Sequence, residues 1–154
     1  MEQHESTTTG SAPEQVGLSF LTLAYSLREQ VDHRMLATAG LSLSRTKVLQ
    51  ALAGRGALHQ AELAASLGQA PRSVTQIVEG LERLGMVARS GDPEDRRRKT
   101  VSLTETGRTA LAAAEEAGTH VLRQSFGMLE PQQLAVLDTL LAHLDVALTA
   151  DKTG

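Results

Sequence analysis

Pro71-Arg72-Ser73-Val74-Thr75-Gln76-Ile77-Val78-Glu79-Gly80-Leu81-Glu82-Arg83-Leu84-Gly85 decides the fold of this 154-residue chain. Val74, Ile77, Val78, Leu81 and Leu84 recur three and four apart, the period of a helix with one buried face. Arg72, Ser73, Thr75, Gln76 and Arg83 fall on the other side and leave a polar face free for recognition. Pro71 suits a first helical turn, where its missing N–H costs nothing, and Gly85 suits a left-handed stop.

Immediately upstream, Gln60 to Gly68 reads as a shorter helix with Leu63, Ala64 and Leu67 on one side. The tight turn Gly68-Gln69-Ala70 joins the two, which gives a helix-turn-helix. Downstream of Gly85 the period changes. Met86 to Ser90 and Thr100 to Leu103 are rich in β-forming residues, and between them Gly91-Asp92-Pro93-Glu94-Asp95-Arg96-Arg97-Arg98-Lys99 carries turn signals and charge. This is a two-stranded hairpin with a charged loop, a wing beside the reading helix.

The flanks are helical. Met1 to Pro13 is polar and Ser/Thr-rich and is read as a disordered tail. From Glu14 to Thr38, Val16, Phe20, Leu23, Leu27, Val31 and Met35 recur at helical spacing. Ala39-Gly40-Leu41 interrupts that pattern, and Ser42 is a fitting N-cap for a helix with Val48, Leu49 and Leu52 that ends before Gly54. Arg45 and Lys47 are assigned to its exposed side, and Arg55 follows it; their first reading is solvated charge, with phosphate contact as the lesser alternative. Thr104 can cap a helix with Leu111, Val121, Leu122 and an Ala-rich run. Glu130-Pro131 restarts a last helix in which Leu134, Leu137, Leu141, Leu144 and Leu148 form a coiled-coil-like seam. That seam needs a cover, either the helix 14–38 of the same chain or a second chain. The organisation is thus a tail (1–13), an N-terminal helix (14–38), a reading lobe (42–103) and C-terminal helices (104–149), an α+β chain that is mostly α.

Composition narrows the function. With 41% hydrophobic and 21% charged residues the chain is ordinary for a globular protein with a sizeable core. No uninterrupted apolar run approaches 18 residues and no signal-like N-terminus is present, so no membrane partner is expected and the chain is read as cytoplasmic. Net charge is −3, yet residues 43–105 hold ten Lys and Arg against seven Asp and Glu, while the rest holds five against eleven. Positive charge is concentrated where a helix-turn-helix meets phosphate. There is no phosphate-binding glycine loop, nucleophile elbow or His-Glu-x-x-His run, so no enzyme is expected. His33 beside Asp32 and His143 beside Asp145 lack the spacing of a metal site, and no metal or cofactor is assigned.

The ordered run Leu81 to Val87, then Asp92 to Lys99, then Val101 to Gly107 resembles the MarR (multiple antibiotic resistance regulator) family of winged-helix transcription factors. The resemblance covers residues 15 to 148. It implies a homodimer, interlocked through the terminal helices, that binds double-stranded DNA at an inverted repeat and most often represses nearby genes. With no Cys, the cysteine-based oxidant sensors of the family do not serve as models. For the reading helix, Arg72 suits guanine, Gln76 suits adenine, and Ser73 and Thr75 suit bases or phosphate. In the wing, the resemblance pairs Asp95 with Arg97 and sends an arginine into the minor groove, Arg97 first, with Arg96 and Arg98 beside it. It also implies a small-molecule effector, with Phe20, Leu23, Tyr25 and Met35 as candidate pocket walls. Two other readings stand beside this one: a dimeric module that docks a protein partner with secondary DNA contact, and a metal or small-molecule sensor derived from an enzyme.

Overall fold

The computed structural model describes residues 10–95 and 97–151. Six helices and three short strands follow one another: α1 (Pro13–Ala39), α2 (Leu43–Arg55), β1 (Leu58–His59), α3 (Gln60–Leu67), α4 (Pro71–Arg83), β2 (Val87–Gly91), β3 (Lys99–Leu103), α5 (Glu105–Phe126) and α6 (Pro131–Ala150). The chain is α+β and mostly helical, as its periodicities indicate. Most of the expected tail, residues 1–9, lies outside the described residues.

The lobe forms around side chains removed from water. Leu41, Val48, Leu49, Leu63, Val74, Val78, Leu81 and Val101 are fully buried and bring α2, α3, α4 and β3 onto one core. Thr46 is buried with them, and its hydroxyl donates to the Ser42 carbonyl at 2.8 Å, so a polar group enters the core at little cost. Ser42 caps α2 by accepting from the Arg45 N–H, and Asp32 of α1 accepts from the Leu43 N–H at 2.6 Å, tying α1 to the lobe. α2 does not stop before Gly54: it runs to Arg55 and ends at Gly56, whose φ of 80° is the left-handed value that favours glycine.

α3 and α4 end alike. At α3 the Gly68 and Gln69 N–H groups donate to Ala65 and Ala64, and at α4 those of Gly85 and Met86 donate to Glu82 and Leu81. Each is the paired 5→2 and 6→1 closure that a left-handed residue permits, and Gly68 and Gly85 supply it with φ of 61° and 72°. The sheet has three strands, in the order β1-β3-β2, where sequence reading gives two. β1 places Leu58 opposite Val101 and His59 opposite Thr100. A two-residue strand has no period of its own, which is why it escapes sequence reading.

α1 crosses α5, where Val31 and Met35 pack against Leu111, Ala114, Ala117 and Val121. A Cβ at Gly118 would meet the Met35 methyl, so the small residue sets how closely these helices approach. Within one chain it is α5, not α6, that α1 covers. α6 has no buried residue: Leu134, Leu144 and Leu148 are exposed, and Leu137 and Leu141 are only half-buried. The N-terminal half of α1 is equally bare at Val16, Leu18, Phe20, Leu21, Leu23 and Tyr25. By length and composition alone α6 could cross a membrane, although its apolar residues are interrupted by Asp138, His143 and Asp145. The absence of an uninterrupted apolar run stands, and it is the spacing of the polar residues that leaves the average apolar.

Candidate nucleic-acid interface

α4 starts from Ala70 in an extended conformation with Pro71 at its first position, and Val74, Val78 and Leu81 anchor it by one face. Arg72, Ser73 and Gln76 stand exposed on the opposite face, as their spacing predicts. Thr75 departs from this. It is half-buried, its hydroxyl donates to the Pro71 carbonyl at 2.9 Å, and it accepts from Gln60 Nε2 at 2.6 Å. The side chain expected to read DNA also joins α4 to the start of α3. Helical spacing assigned Thr75 correctly to the non-core side, but α3 covers that edge, and contacts between elements leave no trace in a single helix's period. The single amide oxygen of Gln60, Oε1, is buried and has no hydrogen-bond partner.

The wing is braced from two directions. Arg89 on β2 donates through Nε to Glu82 Oε2 at 2.8 Å and through Nη2 to Oε1 at 3.1 Å, a two-pronged contact to the last turns of α4. The hydrogen bonds from Arg89 hold the Glu82 carboxyl below its ordinary range, and the same contact pushes the Arg89 guanidinium higher. At the other end, the Thr104 hydroxyl donates to the Gly85 carbonyl at 2.6 Å and accepts from the Gly107 N–H at 3.1 Å. A Cβ at Gly107 would run into the Met86 carbonyl oxygen, so α5 starts flush against the α4–β2 turn. No sequence period or motif singles out the pairing of Glu82 with Arg89. Their one signal is opposite charge on either side of the Gly85 turn.

The tip of the wing uses its acids on its own backbone. Asp92 accepts from the Glu94 N–H and Asp95 from the Arg97 N–H, both at 2.9 Å. The expected ion pair of Asp95 with the Arg97 side chain is therefore corrected to a bond with the Arg97 backbone. Asp95 still shapes the tip, while the Arg97 and Arg98 side chains remain exposed. Arg96, also expected here, lies outside the described residues. Between α3, α4 and the wing is a cleft of about 360 Å³ lined in part by Gln60, Thr75, Glu79, Arg89, Arg98 and Lys99.

The other sequence expectations are less convergent. Met35 is 5% exposed and belongs to the core; its thioether lies against Thr46 and Gly118, so it is not a pocket wall. Phe20, Leu23 and Tyr25 are exposed. Leu23 borders a shallow apolar depression with Leu27, Phe126, Leu129 and Leu137, whereas Tyr25 lies beside a different one and donates to Glu29 at 2.9 Å. One chain alone does not gather these four. His59 precedes α3 without capping it, its Nδ1 3.4 Å from the Thr100 hydroxyl. Lys47 is exposed as expected, but Arg45 is not: it is half-buried, and its guanidinium lies over Gly80 of α4.

A reading helix beside a braced, cationic wing is the geometry of a protein that docks on duplex DNA. The profile of the MarR family matches residues 39–98. The transcriptional repressor NicR of Pseudomonas putida is 31% identical over 149 residues, which cover 90% of this chain and 94% of that protein. Other curated regulators match over shorter stretches, and the chain spans little more than half of two of them, 58% and 55%. Among solved structures, the MarR family regulator Sco3205 of Streptomyces coelicolor, in complex with DNA, is 26% identical with a TM-score of 0.72 over 86% of this chain and 84% of that one. BpsR of Bordetella bronchiseptica, whose DNA binding is regulated by 6-hydroxynicotinic acid, is 26% identical with a TM-score of 0.68 over 85% of this chain and 98% of that one. This chain belongs to the MarR family of transcriptional regulators, DNA-binding proteins of the winged-helix fold and not enzymes.

Proposed function

We propose that the protein is a homodimeric, cytoplasmic repressor that reads an inverted repeat in double-stranded DNA and is released by a small-molecule effector. The observation that carries this is the pairing of two unsatisfied surfaces on one chain. One is polar and cationic: Arg72, Ser73 and Gln76 on α4, with Arg97 and Arg98 on the wing. The other is apolar: the bare halves of α1 and α6. Two copies joined through α1 and α6 cover the second surface and present the first twice. Half-sites one DNA turn apart, roughly 34 Å, suit such a pair. Cover by a second copy also accounts for α6 better than a membrane does, since Asp138 and Asp145 would be costly in lipid.

Within each half-site, Arg72 and Gln76 read base edges and Ser73 reads a base or a phosphate, while Arg97 enters the minor groove with Arg98 on the flanking backbone. Thr75 acts indirectly by holding α4 against Gln60. Support for an effector comes from BpsR and its 6-hydroxynicotinic acid. Phe20, Leu23 and Tyr25 become pocket walls only with the partner's helices in place, and the effector must favour the spacing that cannot bind DNA, because equal affinity for both states shifts nothing.

The test is selection of bound sequences from random duplex DNA by the full chain, followed by affinity against salt. An inverted repeat with a steep loss of affinity in salt is expected. Absence of any enriched sequence at low salt would overturn the reading.

A further inference from the structure

We infer that Arg45 of α2 is a DNA-phosphate ligand, seated beside the reading stripe by a notch that exists because residue 80 is glycine. The inference rests on the DNA-reading role of α4 proposed above.

Ser73, Gln76 and Gly80 are three and four apart, so Gly80 continues the stripe that Ser73 and Gln76 begin. At that point α4 has no side chain, and the Arg45 guanidinium takes its place. A Cβ on Gly80 would lie 2.8 Å from Arg45 Nη2, 3.4 Å from Cζ and 3.7 Å from Nε, so the guanidinium rests across the helix, and the residue as a whole is half-buried. Arg89, Arg108 and Arg123 each meet a carboxylate. Among the described residues, Arg45 has neither an ion pair nor a side-chain hydrogen bond, so its donors are unused within the chain. A cation held beside the helix and left without an anion has given up part of its conformational freedom before any ligand arrives, which favours a partner with two acceptor oxygens, such as phosphate.

Position selects DNA phosphate as that partner. Gly80 lies about 6 Å further along the axis than Gln76, at 1.5 Å per residue. A helix that enters a major groove about 8.5 Å deep by its N-terminal half leaves its later turns near the rim, where the phosphates are. Arg45 on this flank and the wing arginines on the other would grip the backbone from both sides of α4. Such a contact positions the lobe and carries no base preference of its own.

The experiment measures affinity against salt for the selected operator and for an unrelated duplex, with thermal melting alongside, in Arg45→Gln, Gly80→Ala and the double variant. Arg45→Gln should weaken both duplexes by roughly tenfold per protomer and reduce the salt slope by about 0.9 per protomer, one phosphate each. Gly80→Ala is the sharper arm. Alanine favours helix over glycine, so melting temperature should hold or rise, while the new methyl displaces the guanidinium and weakens binding. Added to Arg45→Gln, it should weaken binding no further. An unchanged salt slope in Arg45→Gln, a loss confined to the operator, or full additivity of the two substitutions would overturn the phosphate role. If the unaltered protein selects no sequence at all, the DNA-reading proposal falls first, and this inference falls with it.

Discussion

Replacing Leu144 and Leu148 together by Asp breaks the proposed dimer and leaves each chain folded. The choice follows from exposure. Leu137 and Leu141 are already half-covered by their own chain, so changing them would confuse folding with assembly. Leu144 is 56% exposed and Leu148 68%, and nothing in the single chain depends on them. Covering the surface that remains stabilises the pair by about 1–2 kcal/mol for each side chain. A two-fold seam holds four of them, so their removal costs about 4–8 kcal/mol, and four carboxylates must also be stripped of water. At about 1.4 kcal/mol per tenfold, Kd for self-association rises by roughly three to six orders of magnitude. Sedimentation equilibrium at micromolar concentration reads this directly as a fall from twice the 16.4 kDa chain mass to that of one chain. Circular dichroism in parallel should keep its helical signal. A double variant that retains dimer mass would refute the argument that these leucines are bare because a second copy covers them.

Arg97→Ala should lower operator affinity and reduce the salt dependence while leaving the dimer intact; an unchanged affinity by fluorescence anisotropy would remove the wing tip from recognition. Glu82→Gln should loosen the wing, and it makes a prediction about acid. The folded-state Glu82 carboxyl lies below its usual value of 4.5, so its contribution is present above that value and disappears as pH falls through the depressed one. Acid melts should therefore show the unaltered protein losing its advantage over Glu82→Gln below about pH 4.5; parallel acid limbs would count against the brace. Gly107→Ala forces a methyl onto the Met86 carbonyl oxygen and should destabilise the lobe by about 1–3 kcal/mol in urea titrations.

Much of the fold is legible because it repeats. Val74, Val78 and Leu81 announce one face of α4 at 3.6 residues per turn, and Gly68 and Gly85 mark stops that need a left-handed residue. What escapes is whatever joins one element to another. β1 is too short to have a period, and its pairing with β3 is decided over forty residues away in sequence. The Glu82–Arg89 brace, the Asp32 bond to Leu43 and the Gln60 bond to Thr75 each link residues on different elements. The exposed positions of Arg72, Ser73 and Gln76 follow from the buried ones by subtraction. Thr75 does not, because subtraction cannot see α3, and Arg45 does not, because only the missing Cβ at Gly80 makes room for it.

The two places where the chain enters and leaves the lobe are both stitched down. On the way in, Gly40 donates to Leu36 and Asp32 accepts from Leu43; on the way out, Thr104 holds the Gly85 and Met86 carbonyls and Gly107 leaves no gap behind them. Lobe and strut are therefore welded rather than hinged, and the wing is part of the same casting. The proposed effector would have little to gain by bending the lobe on its stalk. In the proposed dimer the compliant joint would be where two such castings meet along their bare helices, and a small tilt there, amplified along the length of α1 and α5, would set how far apart the two reading helices stand.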